Sequence, residues 1–366
     1  MKNLLLLLIT STIFAVGTCG GPLIMRLYYL QGGKRLWFTS WLEIGGFPII
    51  IFPLTVAYFR RRKNQPPISS SPSQKTHFFT IKPRLFMASA GIGILTGLDC
   101  YLYSYGVSKL PVSTSSLIVA TQLVFTAMFA FLLVKQKFTF YSVNAVALLT
   151  VATGVLAMHT NSDKPKNVSN RGYILGFLMT LAASVLYGLM MPLVELAYMK
   201  ARQKITFALV LETQLVMCLF ATGFCTVGML ANNDFKAVAR EAKESHMGEA
   251  KYYLVAVFSA ILWQFNFLGA IGVVFCASSL VSGIVLAILL PISEVLAVIF
   301  YHENFQADKG VSLILSLLGF VSYFYGEMKE MKNQIKTPKS DPQQETSKVE
   351  PQPKSSQTEM QELPNV

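Results

Sequence analysis

Five carboxylates stand within or beside long apolar runs: Glu43, Asp99, Glu195, Glu212 and Glu294. An ionisable group with apolar neighbours on both sides is costly in lipid, so it must face a protein interior or a water-filled path. A carboxyl group in that position can load and release a proton as its surroundings change, which is the chemistry of proton coupling. Asp99, Glu43, Glu212 and Glu294 are the candidates for that work. Glu195 lies beside Lys200 and Arg202, where pairing at a span end accounts for it. A structural carboxylic acid that only joins helices looks the same in sequence, so both readings stand at this point.

A second set is made of amides and aromatics. Gln122, Gln214, Gln264 and Asn266 fall inside apolar runs, with Trp263 next to Gln264 and Tyr103 close to Asp99. A side-chain amide sets a donor beside an acceptor and so matches the edge of an adenine-like base. Aromatic faces stack on such rings. Hydrogen bonds between helices and ordinary core packing explain the same residues as well. Catalytic constellations are missing. The four histidines have no HExxH spacing, and there is no P-loop and no Gly-x-Ser-x-Gly, so no enzyme is expected. The five cysteines form no CxxC pair and all lie in apolar segments. Neither a metal, a cofactor nor a disulfide framework is indicated.

The elements that would position these groups are membrane spans. Of the 366 residues, 53% are hydrophobic and 14% charged, where a soluble domain carries about a quarter charged residues. A net charge of +12 would suggest nucleic acid in a soluble chain. Here the basic residues flank apolar spans instead, as membrane orientation requires. Ten segments are long enough to cross: Leu4–Met25, Trp37–Phe59, Leu85–Tyr105, Val112–Val134, Ser142–Met158, Tyr173–Leu196, Ile205–Met229, Tyr252–Val274, Ser278–Tyr301 and Gly310–Tyr325. The first is too long for a signal peptide's apolar core and reads as a span. The run Arg60–Lys63 and the basic tail place both termini in the cytoplasm, which requires an even number of crossings. Asn64–Thr80 reads as a Pro/Ser-rich cytoplasmic loop, within a connection from 60 to 84. Residues 335–366 read as a disordered cytoplasmic tail. Asn167-Val168-Ser169 is a glycosylation sequon set close to the membrane, where it is expected to stay unused.

A faint duplication is present. Ser113 precedes Gln122 by nine positions in the fourth segment, and Ser282 precedes Pro291 by nine in the ninth. Gly93, Gly97 and Tyr101 before the one resemble Gly269, Gly272 and Phe275 before the other. Two five-helix units, 1–159 and 173–329, would then form an inverted repeat with a site at their interface. Gly93-xxx-Gly97 itself reads as close helix packing.

Three longer runs carry a family likeness. The first is Cys19-Gly20-Gly21-Pro22-Leu23 with Arg26-Leu27-Tyr28, Gly32-Gly33, Trp37, Trp41-Leu42-Glu43, Gly46 and Pro48. The second is Leu110-Pro111-Val112-Ser113-Thr114-Ser115-Ser116-Leu117 with Thr121-Gln122-Leu123. The third is Ser322-Tyr323-Phe324-Tyr325-Gly326-Glu327. Together they resemble the plant purine permease family of the drug/metabolite transporter superfamily, from about Lys2 to Lys329. The resemblance implies an all-α integral membrane protein of ten helices in an inverted five-plus-five repeat. It also implies proton-coupled import of adenine, cytokinins and related heterocycles, or of alkaloids, nicotine, caffeine or pyridoxine in some members. Glu43, Asp99, Gln122, Glu212 and Trp263 fall in matching stretches. The partners implied are a small heterocycle, protons and the lipid bilayer, with no nucleic acid. The membrane expected is the plasma membrane, with the vacuolar membrane as the other location. A permease for larger cationic amines is the alternative within the family, and a receptor that binds such ligands without moving them is the alternative outside it.

Overall fold

In lipid a backbone has no hydrogen-bond partner but itself, and a chain this apolar is therefore committed to helices. The computed structural model describes residues 2–63, 79–135, 140–158, 168–201, 203, 206–276, 279–302 and 307–336, and among them there are helices and no strands. Among the described residues seven stretches are long and apolar enough to cross a membrane: Leu7–Leu30, Leu36–Arg60, Pro83–Lys109, Thr114–Leu133, Asn170–Lys200, Phe207–Ala231 and Glu249–Val273. Met1–Glu327 form one compact unit and Met328–Val366 a second, helical as far as Lys336. The loop residues 64–78 and the tail from 337 onward lie outside the described residues.

The first expected span is α1 (Lys2–Leu30). The second divides into α2 (Leu36–Gly45) and α3 (Pro48–Lys63). Pro48 has no N–H to give and its ring crowds the carbonyl of Ile44, so the helix stops and restarts. Phe47 N–H takes that carbonyl instead, at 3.1 Å. After α4 (Pro83–Lys109), the fourth expected span also divides, into α5 (Val112–Ala120) and α6 (Gln122–Val134). At this joint Thr121 gives both its N–H, at 3.0 Å, and its hydroxyl, at 2.6 Å, to the Ile118 carbonyl. The turn tightens and the ladder is interrupted.

Helices α7 (Phe140–Met158), α8 (Asn170–Lys200) and α9 (Phe207–Ala231) follow. Ser169 caps α8 by accepting from Gly172 N–H at 3.1 Å, and Thr206 caps α9 by accepting from Leu209 N–H at 3.3 Å. The connection after α9 contains a short helix that the sequence reading passed over, α10 (Asp234–Glu244). Its Val238 and Ala242 are buried while Lys236 and Arg240 are exposed, so it is amphipathic and lies against the bundle. Then come α11 (Glu249–Cys276), α12 (Ser279–Tyr301) and α13 (Ala307–Lys336).

α10 is clasped by charge. Tyr28 and Tyr252 hydroxyls donate to Glu241 Oε1 at 2.6 and 2.9 Å, and Lys34 N–H donates to Oε2 at 3.1 Å. Arg35 pairs with Asp234 at 3.4 Å and Glu241 at 3.5 Å. Burial pushes the Asp234 carboxyl above its ordinary range, against the opposing pull of Asn232 and Arg35.

Glycines set the helix contacts. α1 and α11 run antiparallel in close register: a Cβ at Gly17 would meet Asn266 N at 2.2 Å, one at Gly269 Phe14 Cα at 2.5 Å, and one at Gly272 Thr10 Cγ2 at 2.4 Å. α4 lies antiparallel to α8, with Gly106 on Thr180 and Gly176 on Lys109. It lies parallel to α9, with Gly93 on Met217 and Gly97 on Ala221. The Gly93-xxx-Gly97 spacing is thus a packing face, as its small residues imply. Further contacts join α6 to α8, α1 to α12, α2 to α9 and α11, and α5 to α12.

Candidate functional site

The helices so packed line a cavity of about 130 Å³, with walls from α1, α2, α4, α5, α6, α8, α11 and α12. An apolar cavity of ~150 Å³ is large enough to hold a benzene ring, so this one is of a size for a small flat molecule. On α11 the lining residues are Trp263, Asn266, Phe267 and Ala270, the i, i+3, i+4, i+7 stripe of one helix face. The Gly17 and Gly21 notches let that face come against α1, whose Thr18 hydroxyl donates to Asn266 Oδ1 at 2.8 Å. α4 contributes Asp99, Cys100 and Tyr103.

The walls are aromatic and acidic. The Tyr103 and Trp263 rings meet edge to face at 5.6 Å, and Phe267 lies 6.5 Å from Trp263. Glu43 stands in the last turn of α2, just before the break, and is 2% exposed. Its Oε1 accepts from Ser104 Oγ at 2.7 Å. Gln122 is the first residue of α6, so the Thr121 interruption sets its side chain at a helix start on the cavity wall. Among the described lining residues none is basic, so Glu43 and Asp99 face the cavity without a cationic side chain.

Six of the ten residues singled out by sequence therefore line one cavity: Glu43, Asp99, Tyr103, Gln122, Trp263 and Asn266. Glu212, Gln214 and Gln264 are not part of its lining. Glu212 is fully buried and accepts from Thr80 N–H at 2.7 Å, Thr80 Oγ1 at 2.8 Å and Ile81 N–H at 3.0 Å. It anchors the chain where it enters α4. Gln214 donates to Cys218 Sγ on its own helix at 3.4 Å. Gln264 is buried against Gly46, one residue and about 100° around α11 from Trp263. Glu294 lies on α12, and its side chain is outside the described residues.

The sequence reading passed over Thr18, Ser184 and Ser293, which also line the cavity. A lone hydroxyl in an apolar helix is common and usually bonds back to its own backbone, so type alone gave no signal. Among the described residues no cluster of His, Cys, Asp and Glu could hold a metal ion.

Apolar helices packed about an acidic, aromatic-walled cavity are the parts of a membrane carrier for small molecules. Comparison with known proteins agrees. The family model for purine nucleobase transmembrane transport matches residues 5–333. Purine permease 3 of Arabidopsis thaliana is 55% identical over 344 residues, covering 93% of this chain and 97% of that protein. Purine permease 2 of the same plant is 51% identical over 355 residues, covering 94% and 97%. Probable purine permease 5 is 33% identical over 322 residues, covering 88% and 86%. The chain belongs to the purine nucleobase transmembrane transport family, a family of multi-pass membrane transporters rather than enzymes.

Proposed function

We propose that the chain is a proton-coupled permease that imports purine-like nitrogenous heterocycles such as adenine and cytokinins. The observation that carries the reading is the single cavity that gathers Glu43, Asp99, Tyr103, Gln122, Trp263 and Asn266. It offers ring faces for stacking, an amide edge for hydrogen bonding and carboxyl groups that can carry the proton.

The packing supports ten crossings in an inverted five-plus-five arrangement. Taking α2 with α3 and α5 with α6 as single crossings and α10 as a surface helix gives ten. Exchanging each crossing with the one five places on turns α1–α11 into α8–α4, α4–α9 into α11–α2, and α6–α8 into α12–α1, and each of these pairs is in contact. Helix directions agree, since α1–α11 and α4–α8 are antiparallel and α4–α9 is parallel. Both termini are then cytoplasmic, in line with the basic residues, and the plasma membrane is the expected location. A protease applied to intact cells should leave tags at either end untouched.

A second reading has one observation in its favour. Two carboxyl groups with no basic residue among the described residues of the cavity lining suit a cationic amine of the alkaloid type. Uptake of radiolabelled adenine, a cytokinin, pyridoxine and several alkaloids in cells lacking their own permeases decides between the two. Accumulation of adenine that grows as external pH falls, and collapses with a protonophore, is the expected result. Saturable binding without accumulation would make the protein a receptor.

A further inference from the structure

Several polar groups around the cavity are answered within the protein. Thr18 donates to Asn266, Ser104 donates to Glu43, and Ser184 Oγ donates to the carbonyls of Ile118 and Thr180 at 3.3 and 3.0 Å. Three lining residues differ. Asp99 Oδ1, Trp263 Nε1 and Ser293 Oγ are buried and have no hydrogen-bond partner among the described residues. Buried polar atoms are nearly always partnered in native proteins, so three exceptions in one ring-sized cavity, from α4, α11 and α12, require a common explanation. An orphaned donor or acceptor that helps to wall a cavity is satisfied when a ligand brings the missing atom.

The three atoms also describe that ligand. The Trp263 indole only donates, the Ser293 hydroxyl donates or accepts, and Asp99 accepts when ionised but offers a donor beside an acceptor when protonated. A molecule that answers all three carries a ring nitrogen with a lone pair next to an N–H on the same flat edge. The Tyr103 and Phe267 rings, 5.6 and 6.5 Å from the Trp263 ring, give the same space aromatic walls.

We propose that Asp99, Trp263 and Ser293 touch the substrate directly, holding the polar edge of a neutral, planar nitrogen heterocycle, and that protonated Asp99 supplies the donor–acceptor pair for that edge. This rests on the reading of the cavity as the permease's transport site. Proton and substrate then meet at one carboxyl group: binding either favours the other, and by linkage the two effects are equal. Release of the substrate leaves the acid without its partner, and its proton leaves to the water on the side to which the cavity opens.

The test is equilibrium binding of adenine to the full-length purified protein in lipid nanodiscs, at neutral and mildly acidic pH, with melting temperatures measured without ligand. Trp263→Phe keeps an aromatic face but loses the N–H together with part of the ring, and Ser293→Ala loses only the hydroxyl. Each should weaken adenine binding about tenfold, the equivalent of ~1.4 kcal/mol. Ser293→Ala should leave the ligand-free melting temperature unchanged or higher, because removing an unpartnered buried polar atom relieves a cost, while Trp263→Phe, which also gives up ring volume, is read by affinity alone. A purely structural role predicts the reverse, with lower melting and unaltered affinity. Asp99→Asn mimics the protonated acid, so its affinity should match wild type at acidic pH and vary less with pH than wild type, Glu43 being the other carboxyl group on the cavity wall, whereas Asp99→Leu should bind about tenfold or more weakly. If wild type binds adenine but Trp263→Phe, Ser293→Ala and Asp99→Leu bind it equally well, the contact assignment is wrong and the permease reading survives. If wild type, folded and monodisperse, binds neither adenine nor a cytokinin, both fall together.

Discussion

Replacing Gly17 by alanine adds one methyl group at the point where α1 and α11 are closest. The new Cβ would lie 2.2 Å from Asn266 N, 2.6 Å from Asn266 Cα and 2.7 Å from the Leu262 carbonyl oxygen. All three are backbone atoms, so no rotamer change relieves the clash. Restoring an ordinary 3.4 Å contact from 2.2 Å requires the helices to part by about 1.2 Å at this crossing. The Thr18–Asn266 hydrogen bond, now 2.8 Å, then stretches to about 4 Å and is lost. Overpacking of this kind costs about 1–3 kcal/mol, and both partners of the broken bond are cavity residues. Gly91→Ala is the matched control. Nothing lies within 4 Å of its added Cβ, and alanine is favoured over glycine inside a helix by about 1 kcal/mol. Thermal melting of detergent-purified protein should therefore fall for Gly17→Ala and hold or rise for Gly91→Ala. Adenine uptake at equal surface amount should drop only for the first. A Gly17→Ala protein that melts with the control and transports like wild type would refute the close approach of these helices.

Gln122→Leu keeps the volume and removes the amide edge, so adenine affinity should weaken about tenfold, within the ~1–3 kcal/mol of an unanswered polar group. Unchanged affinity would return Gln122 to packing. Glu212→Ala strands the Thr80 and Ile81 amides, and the expected outcome is a loss of folded protein at the cell surface while the molecules that reach it still accumulate substrate. Loss of accumulation at normal surface level would instead make Glu212 a proton carrier. The Asp234 carboxyl holds its proton more tightly in the native state than its ordinary value of 3.8 allows. The folded protein thus binds more protons than the unfolded chain just above that pH, and this contribution to stability is lost as pH rises through the native value. Asp234→Asn should flatten that part of the melting-versus-pH curve, and a curve of unaltered slope would count against the assignment.

Much of this site was legible because carboxylates and amides are expensive inside apolar helices, and expense is visible in sequence. Asp99, Glu43 and Gln122 stand out by type alone. Direction is what type does not reveal. Trp263 and Gln264 are neighbours in sequence, yet the first lines the cavity and the second is buried against Gly46. Glu212 reads like Asp99 in sequence, but its role depends on Thr80 and Ile81, some 130 residues away. The break before α3 was readable from Pro48. The Thr121 joint was not, because a threonine hydroxyl bonding its own backbone leaves no mark in composition. α10 was masked by its charges, although Val238 and Ala242 carry the spacing of a buried helical face.

The bond of Glu212 to Thr80 and Ile81 also bears on the order in which the chain is made. The amides that precede α4 are synthesised well before the carboxylate on α9 that receives them, and the notched face of α1 waits longer still for α11. A ribosome that has finished residues 1–158 has made five apolar segments whose main contact surfaces are bare. Such a fragment should be a client for quality control rather than a freestanding body. Two fragments divided within residues 159–167 and made in one cell should recover uptake that neither shows alone. A first fragment that persists by itself, undegraded, would mean that its helices find one another without the second.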